Sequence, residues 1–162
     1  MKLINSIGRI LAVSLGVTSF ALAQESSFSQ SPYTGAAPRP ELYATLGDIM
    51  GLTQIRHEKL WHAGRAQNWE LAAYEIQQIR STLVRSAALY LNIPIELVVA
   101  ADAPLEDMLK AVKTRDEKAF VAGYAQLTAA CNSCHQAGGV GYVRMVIPRT
   151  SSFTNQDFTP LR

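Results

Sequence analysis

The chain reads as a succession of amphipathic helical runs. From Glu41 to Gly64, Tyr43, Leu46, Met50, Thr53, His57, Leu60 and Trp61 recur at spacings of three and four, the period that gathers side chains on one helix face. "GRAQN" (64–68) breaks that run, and Asn68 is suited to cap a second helix. Ala72, Ile76, Ile79, Leu83, Ala87 and Tyr90 keep the same period to about Leu91. "NIPIELVVAADAP" interrupts the pattern and reads as irregular or partly helical, with Pro104 placed to open a shorter third helix through Leu105, Met108, Leu109 and Val112. Asp116 begins the last run, which carries Phe120, Tyr124, Leu127, Cys131 and Cys134 down one stripe.

Connections this short require antiparallel neighbours. The pattern therefore predicts an all-α chain, an antiparallel four-helix bundle with helices over 41–64, 68–91, 104–114 and 116–137. Gly138, Gly139 and Gly141 end the last helix. "YVRMVI" has strand-like composition but no partner strand, so 138–162 is expected as an extended, irregular tail laid over the bundle. Residues 24–40 are rich in Ser, Pro, Gln and Gly and lack an apolar period, which reads as a flexible lead-in.

The first residues change the picture of where the chain works. Lys2 and Arg9 supply a positive region, Ile10–Leu22 a mostly apolar one, and Ala21-Leu22-Ala23 an A-x-A cleavage site. Residues 1–23 are thus expected to be a signal peptide, removed on export. The apolar run is shorter than the ~18 residues of a spanning helix, so no stable membrane anchor is expected after cleavage. Of 15 Lys and Arg against 13 Asp and Glu, Lys2 and Arg9 belong to this leader, and the remainder balances. A balanced surface argues against nucleic-acid binding, which wants a basic patch.

The chemistry concentrates in "ACNSCHQAGG". Cys131, Cys134 and His135 form C-x-x-C-H, the attachment signature for one covalent haem c: two thiols bond the porphyrin vinyl groups and the histidine reaches the iron. On a helix the cysteines are i and i+3 and face the same side. A disulfide or a thioredoxin-like redox pair also fits two cysteines, but the latter needs a βαβ context that the helical surroundings lack. A structural zinc wants four soft ligands, and only one cluster exists.

The late position of the motif, at the end of a long helical domain, resembles the cytochrome c′ superfamily of four-helix bundles. "DEKAFVAGYAQLTAACNSCH" is similar to that family's fourth helix, and the likeness covers residues 41–137. The long tail and the segment "HEKLWHAGRAQNWELAAYE" depart from it. The resemblance implies His135 as the proximal ligand. It also implies one of two distal arrangements, a methionine on the first helix or an apolar residue and a vacant site.

Met50 is the first candidate for the distal side. The start of helix one lies beside the end of helix four in such a bundle, which puts Met50 at the level of the haem; it would either ligate iron or simply fill the core. Met145 is the rival and needs the tail to wrap the porphyrin edge, which an extended chain can reach at ~3.3 Å per residue. Met108 is expected in the core. His57 lies about 10 Å further along the first helix at ~1.5 Å per residue, and reads as a buried neutral histidine with a hydrogen-bond partner. Trp61, His62 and Trp69 fall at the opposite hairpin and read as a packed aromatic cap. Arg80 and Arg85 read as a solvated face.

A His/Met pair implies a periplasmic electron carrier serving redox partner proteins, with no acid–base catalysis and with Tyr142, Val143 or Phe153 at the haem edge. A vacant site instead implies a nitric oxide- or carbon monoxide-binding protein. A haem subunit of a larger periplasmic enzyme, docked through the tail, is the third reading. A homodimer is compatible with the resemblance.

Overall fold

Three of the four helices start where a polar side chain takes up free amides at the first turn. In the computed structural model, which describes residues 45–91 and 93–161, Thr45 Oγ1 accepts from the Asp48 amide at 3.2 Å. The Asp48 carboxylate in turn accepts from the Thr45 amide at 2.9 Å. This reciprocal box opens α1 (Leu46–Arg65). The Thr45 hydroxyl, which donates to the same carboxylate at 2.7 Å, and then the Thr45 amide hold the Asp48 carboxyl below its usual range. Asn68 Oδ1 accepts from the Leu71 amide at 3.1 Å and caps α2 (Trp69–Leu89), as the sequence suggests. Asp116 caps α4 (Glu117–Ala137) through the Ala119 amide at 2.9 Å. The signal peptide, the lead-in over 24–40 and the expected helix start at Glu41 lie outside the described residues.

The third helix is longer than its sequence pattern suggests. α3 runs Ile95–Thr114, with Pro104 in its interior rather than at its start. Proline lacks the N–H that would bond the carbonyl four residues back. Here that residue is Ala100, which is exposed, so water can serve the orphaned oxygen. Pro104 itself is buried together with Ala101, Leu105 and Met108, continuing one face at spacings of three and four. The proline is therefore part of the core stripe.

The four helices pack in sequence around one core, with no strand among the described residues. Leu60, Ile76, Ile79, Leu105, Met108, Phe120, Tyr124 and Leu127 are fully buried at its centre, which bears out Met108 as a core residue. α1 and α4 meet closely at few positions, whereas every sequential pair meets more extensively. Their pairing is antiparallel: His57 meets Thr128 and Tyr124, and further along α1 Gly64 meets Phe120. A Cβ at Gly64 would lie 2.1 Å from the Phe120 ring, so only glycine permits that approach. No helix among the described residues is long and apolar enough to cross a membrane.

At the closed end, Trp61 stacks obliquely on Tyr124 at 4.8 Å and Trp69 meets Phe120 edge-on at 6.0 Å. These are the packing contacts of an aromatic cap. Arg80 bonds Asp102 and Glu106 on α3, at 2.6 and 3.0 Å, so it ties two helices together at the surface.

Gly138 ends α4, and Gly139 turns the chain with φ +73. The tail is irregular and held by side-chain anchors. Ser152 donates its amide and hydroxyl to Glu58 of α1, at 2.6 and 2.8 Å. Asn68 donates to the Thr159 carbonyl at 3.1 Å, and Phe158 packs against the core beside His62.

Candidate cofactor site

α1 and α4 are joined by a buried polar cross-link. Thr128 Oγ1 donates to the Tyr124 carbonyl at 2.8 Å, so it accepts from His57 Nε2 at 2.9 Å. His57 Nδ1 is then the acceptor, 2.8 Å from the Tyr124 hydroxyl, whose hydrogen is shared with the His57 carbonyl at 2.9 Å. Burial keeps this imidazole neutral, pushing its pKa down to about 4, against a small opposing pull from Glu58. Burial likewise pushes the Tyr124 hydroxyl well above its usual range. Both ring nitrogens are engaged, which leaves neither for a ligand and fits the reading of His57 as a hydrogen-bonded core histidine.

Toward the start of α1 and the end of α4, a cavity of about 590 Å³ opens. This lies within the roughly 300–1,000 Å³ of small-molecule and cofactor sites. His57 lines its floor, Met50 its α1 wall, and Cys131, Cys134 and His135 its α4 wall. Ile79, Leu83 and Ser86 of α2 and Leu97, Val98 and Ala101 of α3 make the back. The hydroxyls of Thr53 and Ser86 donate to carbonyls of their own helices, at 2.9 and 2.8 Å, so the interior is chemically apolar. The buried residue of the first α1 turn is Ile49, while Met50 is half-buried because it faces this cavity.

The two cysteines are free thiols on one helix face. Burial pushes Cys131 up to about 11, with the neighbouring Cys134 adding to it, and burial also raises Cys134. They sit near the C-terminal end of α4, where the helix dipole disfavours a thiolate. A reactive dithiol wants the opposite environment, a helix N-terminus or nearby cations. The thioredoxin-like alternative therefore loses support on electrostatics as well as on fold.

His135 is oriented by the tail. Its Nδ1 lies 2.7 Å from the Val143 carbonyl, which can only accept. Nδ1 therefore carries the hydrogen, and Nε2 is the nitrogen with a free lone pair. Met145 also lines the cavity, with its peptide bound to the Asn132 side chain of α4. Tyr142 and Val143 stand at the rim, Tyr142 82 % exposed. Phe153, expected beside them, lies elsewhere: it packs on Phe158, under the Lys59 ammonium of α1 at 5.1 Å. The chain bends at Arg149 and Thr150 and Ser152 is clasped to Glu58, which carries Phe153 away from the rim.

Two apolar-lined thiols facing one cavity, an imidazole with its outer nitrogen tied off, and two thioethers within the same lining suit a covalently bound haem. Among the described residues, no group of three or more His, Cys, Asp or Glu is placed to hold a bare metal ion. Sequence reasoning missed Asn132 and the Val143 carbonyl. The only available signal was an asparagine inside a helix, where its side chain competes with the backbone. Compared with known protein families, curated proteins and solved structures, the chain matches none.

Proposed function

We propose that this chain is a mono-haem c-type cytochrome of the cytochrome c′ kind, exported to the periplasm and acting as an electron carrier between redox partner proteins. One observation carries the reading: Cys131, Cys134, His135 and Met50 line a single apolar cavity of cofactor size. A haem bound there supplies the iron whose one-electron cycle is the chemistry.

The chain's own residues supply attachment, orientation and exclusion of water. Cys131 and Cys134 would hold the group by thioether bonds. His135 would offer Nε2, since Nδ1 is spent on Val143. Met50 is favoured over Met145 as the residue that would face His135, because it belongs to a different helix, α1, whereas the Met145 backbone is clasped to α4, the helix that carries His135. The exposed Tyr142 at the rim is the natural point of approach for a partner.

The test is expression in a host that attaches haem c, followed by mass and spectrum. The expected product lacks residues 1–23, carries one haem, and is low-spin with the far-red band of a methionine–iron(III) bond. Absence of covalent haem overturns the reading. A high-spin spectrum and rapid carbon monoxide binding in the reduced state would replace the carrier with a gas-binding protein.

A further inference from the structure

Asn132 occupies one of the two variable positions between the cysteines. Its side chain pairs with both the backbone donor and the backbone acceptor of one residue. Nδ2 donates to the Met145 carbonyl at 2.9 Å, and Oδ1 accepts from the Met145 amide at 2.7 Å. Met145 is thus tied to α4 one turn before His135. The intervening chain is anchored at its other end by Val140, whose amide donates to the His135 carbonyl at 2.9 Å, and by the Val143 amide, which donates to Val140 at 2.8 Å. Val143 lies between these anchors, and its carbonyl meets His135 Nδ1.

Apolar burial does not hold this stretch. Tyr142, Val143 and Val146 are all exposed. Hydrogen bonds must therefore fix the Val143 carbonyl, and the only side chain bonded to this segment downstream of it is Asn132 among the described contacts. Partners on the outer nitrogen of a metal-bound histidine set its ring orientation and raise its basicity. We infer that Asn132 is a positioning residue for the proximal histidine: by clasping Met145 it presents the Val143 carbonyl to His135 Nδ1 and thereby tunes the iron. This inference rests on the haem reading proposed above.

The geometry assigns a direction to the effect. A more basic imidazole stabilises the oxidised iron, so losing the bond favours the reduced state. Asn132→Ala in the haem-loaded protein should shift the midpoint potential to more positive values. It should also speed solvent exchange of the His135 Nδ1 proton at least tenfold, read by NMR of the reduced protein. Asn132→Asp keeps the acceptor for the Met145 amide and loses the donor to its carbonyl. It should speed Nδ1 exchange by less, and that readout carries the comparison if the alanine variant does not fold, because the added carboxylate charge moves the potential by itself. A haem-loaded wild type whose Nδ1 exchange is the same as in both variants overturns the inference alone. A wild type that carries no covalent haem overturns it together with the haem reading.

Discussion

Gly64 of α1 and the Phe120 ring of α4 occupy a space that admits no further carbon: a Cβ on Gly64 would fall 2.1 Å from the ring edge. Phe120 is fully buried and also meets Trp69 and Tyr124. The ring cannot retreat without disturbing both neighbours. Gly64→Ala should therefore destabilise the fold despite alanine's better helix propensity, by about 1–3 kcal/mol as overpacking does. A lowered urea midpoint with an unchanged slope is the expected measurement. Gly51 on the same helix has open space around its Cβ position and serves as the control, with alanine there neutral or stabilising.

Acid should weaken the fold through His57. Its imidazole is neutral in the folded chain down to about pH 4, whereas in the unfolded chain it takes a proton near 6.5. Between those values the unfolded state binds the extra proton. Stability from this group is full above about pH 6.5, falls as the pH drops, and loses nothing more below 4. The shift corresponds to something on the order of 3 kcal/mol. Buried Glu75 works in the opposite sense, because burial raises its carboxyl against the pull of Arg56. The difference between wild type and His57→Gln isolates the histidine, and the variant should show a shallower loss of stability across that window.

The two methionines separate by spectroscopy. Met50→Ala should abolish the methionine–iron band of the oxidised, loaded protein and leave a high-spin iron that binds carbon monoxide once reduced. Met145→Ala should keep the band. The reverse result assigns the distal position to Met145.

The tail contributes to stability as well as to the site. Phe158 packs against the core beside His62, at 5.5 Å between rings. Phe158→Ala should cost about 1–2 kcal/mol, less than full burial of such a ring gives. Glu58→Ala removes both acceptors of Ser152 and should speed hydrogen exchange at the Ser152 amide, with little change at core amides.

Apolar periodicity carried most of the fold. α1, α2 and α4 lie within a few residues of the helices that their stripes predict, because tertiary packing rewards the same period that the sequence displays. α3 began earlier than expected, since a proline that resembles a helix start proved to be a buried interior residue. The thiols and His135 were legible because the signature is local. Asn132–Met145, Glu58–Ser152 and Asn68–Thr159 were not: each joins one side chain to distant backbone and leaves no periodic trace. The buried Glu75, Thr82 and Ser86 were overlooked for a related reason, as polar residues do not announce a buried stripe.

The polar floor beneath the cavity also fixes a scale. Apolar side chains can slide past one another and repack, but His57 finds Thr128 and Tyr124 at only one alignment of α1 against α4. Displacing one helix by a single turn, ~5.4 Å, would break those bonds together and strand their groups without water. The depth of the cleft is therefore not continuously adjustable. It is set as a ratchet sets a height, by which tooth is engaged.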